Sequence, residues 1–212
     1  MNEKQIKNKN YEYLDNLQSI NSESVVLDFG ANIGDVTEII FKKYKSYLFA
    51  YEPNIVCFNY MKKRFANFAK IKVFNCAVSN FSGKGHLYFH KNAKGNNDIN
   101  YIEGASLRID KDNVDINKNI EVDIIDIKKI LNDYQKIDLI KIDIEGSEYK
   151  ILPEIINNKN KIKSVICELH GNPDGKKIHG EPKNKKFANE YYKLIKTLKE
   201  NNLYDNWFYE WH

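Results

Sequence analysis

Residues 24–34 read Ser-Val-Val-Leu-Asp-Phe-Gly-Ala-Asn-Ile-Gly, and this stretch decides the fold. Val25, Val26 and Leu27 form a continuous apolar run that ends at Gly30, the pattern of a strand buried on both faces of a parallel sheet. From Gly34 to Ser46 the period changes: Val36, Ile39, Ile40 and Tyr44 share one face of a helix. Outward from there, residues 47–52 (Tyr-Leu-Phe-Ala-Tyr-Glu) predict a second strand, stopped by Pro53. Residues 55–69 predict a helix with Phe58, Met61, Phe65 and Phe68 at helical spacing. Residues 71–79 predict a third strand and its exit. Strands alternating with helices of this length imply parallel crossovers and a doubly wound α/β sheet.

The second half resumes the pattern after an interruption. Residues 80–119 are rich in Asn, Gly, Asp and Lys, which predicts one strand near 85–90 and then a long irregular loop over 91–119. Residues 120–131 read as a strand running into a helix, 138–146 as a strand with a sharp exit, and 163–171 as a fifth core strand. The helix after 146 is shortened by Pro153 or begins anew there. Tyr191, Leu194, Ile195 and Leu198 mark a helix over 187–200, and the end of the chain reads as a last strand. Residues 1–23 form an N-terminal extension, polar over 1–10 and able to make a short helix over 11–20; residues 24–212 form a single domain.

Bulk properties narrow the function. The net charge of +4, from 33 basic and 29 acidic side chains, is too mild to single out a nucleic-acid binder. Cys57, Cys76 and Cys167 are odd in number and widely spaced, which argues against a disulfide framework and a zinc site. No apolar segment approaches a membrane span, and the first residues lack the apolar core of a secretory signal, so the expected compartment is cytoplasmic.

The loop at 28–34 carries chemistry because it joins a strand to a helix. Gly30 permits a sharp turn and close approach of a ligand to the backbone. Set against a dinucleotide-binding G-x-G-x-x-G, Asp28 replaces the first glycine and Asn32 the second. An aspartate there repels a pyrophosphate and suits a ligand with positive groups, such as S-adenosylmethionine. Glu52 ends the second strand 24 residues later, where an acid accepts hydrogen bonds from ribose hydroxyls. The plain alternative for Glu52 is a solvated strand-end acid.

A second constellation follows the apolar strand of 138–142. Asp143 falls at its C-terminal end, the edge that carries ligands in open α/β sheets. Lys141 alternates with Asp143, and Glu168 and His170 end the next strand two residues apart, on one side of an extended chain. Asp143 or His170 is the expected general base, worth about 10²–10⁴-fold in a methyl transfer to a hydroxyl. Asp143, Glu168 and His170 also suit a divalent metal, and the metal-free version is preferred.

Taken together, VVLDFGANIG, FAYEPN, NCAVS, EVDIIDIKKIL and IDLIKIDIEGSEYKIL with ELHG after it resemble the FkbM family of methyltransferases over residues 24–170. The resemblance implies a class I, Rossmann-like methyltransferase fold, S-adenosylmethionine as donor, and O-methylation of a sugar, glycan or small natural product. It implies that Asp28, Gly30, Asn32 and Gly34 line the methionine end, that Glu52 holds the ribose, that Ala77 of the NCAVS motif borders the donor, and that Asp143 and Glu145 face the transfer site. Two alternatives stand beside it. An RNA methyltransferase would use the basic stretch 176–186 with the tyrosines, although no dedicated binding domain is visible and nucleic acid is not the expected partner. A non-catalytic partner subunit would keep the fold and lose the site. Acceptor recognition is expected in 91–119 and in the polar insert 171–186.

Overall fold

A computed structural model describes residues 20–94, 104–171 and 187–211. The expected helix over 11–20 (all but Ile20) and the polar insert (all but Gly171) lie outside the described residues. The chain runs β1 (Val25–Phe29), α1 (Asp35–Tyr44), β2 (Tyr47–Tyr51), α2 (Ile55–Arg64), β3 (Ile71–Phe74), β4 (Ala77–Ser79), β5 (Gly83–His90) and β6 (Val114–Asp126). It continues through α3 (Ile127–Asn132), β7 (Leu139–Ile142), α4 (Glu148–Asn157), β8 (Val165–Glu168), α5 (Ala188–Glu200) and β9 (Phe208–Trp211).

Six strands form one sheet in the order β3-β2-β1-β7-β8-β9, and every neighbouring pair is parallel. The order reverses between β1 and β7, and the C-terminal ends of these two strands mark the place where open α/β sheets carry their ligand crevice. Strand alternation sends side chains to two cores. Val26 of β1, Leu139 of β7 and Ile166 of β8 pack with Ile40 of α1 and Met61 of α2. Leu27, Phe29, Ile140 and Ile142 face the other way and pack with Ile130 of α3, Ile151 and Ile155 of α4 and Leu194 of α5. Helices therefore cover both faces, as the doubly wound reading requires.

A second, three-stranded sheet has the order β4-β6-β5. It corrects two expectations. The stretch 71–79 is not one strand: β3 belongs to the large sheet and β4 to the small one. Asn75 sits at the break, its side-chain amide donating to the carbonyls of Glu52 (2.9 Å) and Pro53 (3.0 Å). Nor is all of 91–119 irregular. β6 begins at Val114, and its polar first half pairs antiparallel with β5, Asn119 opposite Tyr88 and Glu121 opposite His86. Backbone pairing across the hairpin outweighs the weak strand propensity of Asp, Asn and Lys. α2 ends at Arg64, five residues short of the helix expected over 55–69. α4 continues through Pro153. One missing N–H is tolerated where Ile151, Leu152 and Ile155 bury the same helix.

Candidate active site

The loop after β1 is shaped by backbone conformation. Gly30, Asn32 and Gly34 all have positive φ, at 76°, 51° and 86°. At Gly30 this freedom is obligatory, because a Cβ would stand 1.7 Å from the carbonyl oxygen of Asp143. The loop therefore lies directly against the exit of β7. On its other side Gly30 and Ala31 donate to the carbonyl of Tyr51 at 3.0 and 3.1 Å. Glu52 locks this arrangement: Oε2 accepts from the Asn32 N–H and Oε1 from the Asn54 N–H, both at 2.8 Å. Burial pushes the Glu52 carboxyl up, the two N–H groups pull it down, and it comes to rest at about 7. Asn54 also caps α2, accepting from the Val56 N–H at 2.9 Å. Arg64 ties the far end of α2 to the loop through the Ile33 carbonyl (2.9 Å) and to α1 through Asp35 and Glu38.

Beneath the loop lies a buried ion pair. Asp28 of β1 and Lys141 of β7 are register partners on neighbouring strands. Both are buried, with Lys141 Nζ 3.2 Å from Asp28 Oδ1. The Thr37 hydroxyl donates to Asp28 Oδ2 at 2.6 Å, and Lys141 donates to the Gly30 carbonyl at 3.0 Å. Asp28 was expected to line the ligand's methionine end. It has no exposed surface and reaches the crevice only through Lys141 and Thr37, which hold the loop from below. Ala77 differs too: its side chain packs with Leu87, Phe89, Val122 and Ile124 in the core of the small sheet. Gly34 caps α1 and leaves no room for a side chain, since a Cβ there would meet the Phe65 ring at 2.5 Å.

Across the crevice, Asp143, Glu145, Glu148, Glu168 and His170 converge from three segments. After Asp143 the chain turns through positive φ at Glu145 (57°) and Gly146 (99°). Glu148, the first residue of α4, is fully buried, and its Oε1 accepts from the N–H groups of Ile144 (3.2 Å) and Gly146 (3.0 Å). The same oxygen lies 3.1 Å from His170 Nδ1. His170 Nε2 faces Glu145 Oε2 at 2.9 Å and Glu168 Oε1 at 4.0 Å. Lys141 bridges the two halves of the crevice, its Nζ 3.8 Å from Asp143 Oδ2.

This geometry sets the proton states. Burial pulls His170 down, but Glu145 and Glu148 outweigh it and hold the imidazole well above its ordinary value. With both ring nitrogens facing carboxylates, His170 is the less available of the two expected bases, Asp143 and His170. Glu145 is pushed up by burial and pulled far down by Lys111 and His170, so it stays ionised. Asp143 is raised, by burial first and against the pull of Lys141. Glu168 is raised to about 8 by burial and by the charge of Asp143. Asp143 remains the base candidate: it is an acid with a raised affinity for a proton at the mouth of the crevice.

Several contributors were not legible in the sequence. Lys111 pairs with Glu145 and donates to the Gly104 carbonyl at 3.1 Å. The Ser106 hydroxyl donates to the Glu145 carbonyl at 2.7 Å. Arg108 reaches Glu190 at 2.7 Å and stacks over the Phe187 ring at 4.0 Å. Residues 104–111 thus form a strap pinned to the turn after β7. No signal in the strap's own composition marks these roles, because each depends on a partner at least 34 residues away.

The crevice suits a ligand with positive groups. Among the described residues Asp143 Oδ1 has no hydrogen-bond donor, and such an acceptor favours a group bringing a proton or a positive charge. Each Glu52 oxygen accepts one backbone N–H and keeps acceptor capacity for a ligand hydroxyl. These features fit S-adenosylmethionine.

Methyltransferase sdnD of Sordaria araneosa is 24% identical over 177 residues, which cover 72% of this chain and 68% of that protein. Among solved structures, the N-terminal domain of human METTL16 in complex with SAH aligns with 90% of this chain at a TM-score of 0.42 and 16% identity. This chain spans 58% of that one. A model of the methyltransferase FkbM domain matches residues 28–204, nearly the whole chain. The chain belongs to the FkbM methyltransferase family and carries its fold, a class I, Rossmann-like α/β domain.

Proposed function

We propose that this methyltransferase uses S-adenosylmethionine to methylate a hydroxyl of a sugar, a glycan or a small natural product. The observation that carries the reading is the contact between the loop of 30–34 and the exit of β7. It brings the Glu52 side of the crevice and Asp143 together at the point where the strand order reverses. When bound, the donor supplies an electrophilic methyl on a sulfonium. The chain's part is to hold, orient and move one proton. Backbone groups of 30–34 meet the methionine end, and Glu52 receives the ribose hydroxyls on its remaining lone pairs. Asp143 takes the proton of the acceptor hydroxyl as the oxygen becomes nucleophilic. His170 sits between Glu145 and Glu148 and keeps both in place, and with them the turn carrying Asp143. Much of the acceleration comes from holding the acceptor oxygen in line with the methyl.

Oxygen as the acceptor atom is supported by the acidic character of the cluster, which suits a hydroxyl proton. The sugar or natural-product class is supported by family membership. A cytoplasmic setting accords with three cysteines that form no disulfide. The test is calorimetric titration with S-adenosylmethionine and its demethylated product, for the wild type and Glu52→Ala, followed by a screen of glycans and nucleotide sugars for methyl incorporation. Micromolar binding of both ligands, lost in the variant, is the expected result. A folded protein that binds neither overturns the reading.

A further inference from the structure

We propose that Asp143, Glu168 and His170 form a site for one divalent cation of the Mg²⁺ or Mn²⁺ type. β7 and β8 are parallel neighbours, with Ile142 opposite Cys167. Asp143 and Glu168, each the next residue along, therefore leave the sheet side by side, and His170 follows two residues on. One ligand atom from each of the three lies within 4.8 Å of the others. In an octahedral shell with bonds of about 2.1 Å, ligand atoms stand ~3 Å apart when adjacent and ~4 Å apart when opposite.

Three further observations point to an ion. First, His170 is held as metal-bound imidazoles are: Nδ1 meets the Glu148 carboxylate at 3.1 Å, which points Nε2 at the carboxylates of Glu145 (2.9 Å) and Glu168 (4.0 Å). The Tyr149 hydroxyl fixes the same residue by donating to its carbonyl at 2.6 Å. Second, two acceptors at the cluster lack donors among the described residues: Asp143 Oδ1, and Oε2 of the fully buried Glu148, whose Oε1 faces His170. Third, Asp28, Asp143, Glu145, Glu148 and Glu168 are five acids gathered against three bases, Lys111, Lys141 and His170. A divalent cation offsets part of this excess of acids. It takes the place of the Nε2 proton, while Glu145 keeps Lys111. Two carboxylates and one imidazole leave positions open for water and for acceptor oxygens, so the ion would orient and polarise the acceptor hydroxyl. That role rests on the methyl-transfer reading; the site itself does not.

The test is a Mn²⁺ titration of the chelator-stripped full-length chain, with free Mn²⁺ counted by electron paramagnetic resonance. One Mn²⁺ bound per chain, displaced by Mg²⁺ and weakened at least tenfold in both Glu168→Gln and Asp143→Asn, is the expected result. Each variant removes one ionised ligand at nearly constant shape, and circular dichroism checks its fold. No binding to the folded wild type at millimolar Mn²⁺ overturns the site, as does binding that both variants leave unchanged. Calorimetry with S-adenosylmethionine in excess chelator separates the two proposals. Donor binding without Mn²⁺ binding removes the site alone, and Mn²⁺ binding without donor binding removes the donor reading alone.

Discussion

Around Glu52 the crevice is closed by backbone hydrogen bonds, and around His170 it is closed by side-chain charge. The first half uses N–H groups of Gly30, Ala31, Asn32 and Asn54, all within 25 residues of one another. The second half gathers carboxylates and cations from the strap, β7, α4 and the exit of β8. Backbone bonds fix a shape and leave ligand-facing lone pairs open. Charged groups fix proton states as well, and they depend on every partner being present. On the proposed function the difference becomes a division of labour, in which the Glu52 half would bind and the Asp143 half would react.

The sharpest way to break this comparison is a pair of variants. Asp143→Ala is expected to lower turnover by about 10²–10⁴-fold, the usual worth of a general base, with donor affinity within a few-fold of wild type. Glu52→Ala is expected to weaken the donor by about 10–100-fold, in line with charge-assisted hydrogen bonds of ~1.5–3 kcal/mol. Calorimetry and single-turnover kinetics read both, and equal, small effects on both quantities would dissolve the division. Next in size is the link between the halves. Lys141→Met leaves Asp28 buried without its cation and should cost about 3–5 kcal/mol in chemical denaturation. A loss under 1 kcal/mol would mean that Asp28 is satisfied without Lys141.

A pH measurement probes the binding half alone. The folded-state value of Glu52 is raised from 4.5 to about 7. Its contribution to stability is therefore full below about 4.5 and is lost as the pH rises through 7, by roughly 3 kcal/mol. The difference in unfolding free energy between wild type and Glu52→Gln, followed from pH 5 to pH 8 without ligand, should move by about that amount against the wild type. A flat difference would show that the Asn32 and Asn54 N–H groups fully offset the burial. The smallest effect is expected at the strap. Arg108→Ala removes partly exposed ion pairs and a ring contact, so stability should fall by only ~1–2 kcal/mol. If the strap shapes the acceptor's pocket, acceptor KM should rise while donor affinity stays unchanged.

Legibility in the sequence followed the range of the interactions. Gly30, Asn32, Gly34 and Glu52 were readable because a positive-φ loop between a strand and a helix, with an acid one strand later, is a local pattern. Asp143, Glu168 and His170 were readable as strand-end residues, but their proton states were not. His170 looks like a free base in the sequence, whereas in the structure Glu145 and Glu148 face its two nitrogens and raise its affinity for a proton. The break at Asn75 and the polar start of β6 were missed for a related reason. Each is fixed by a partner strand or carbonyl outside its own window.

The order of strands and helices, the turn at Gly30 and the acidic character of both loops follow from the sequence by itself, since apolar periodicity and glycine conformation act over a few residues. Tertiary structure alone decided that Asp28 lies beneath the loop against Lys141, that Lys111 and Ser106 pin the turn after β7, and which groups carry protons. Those outcomes depend on charges meeting across distant segments in a low-dielectric interior, where the strength of an interaction is set by burial and distance and not by spacing along the chain.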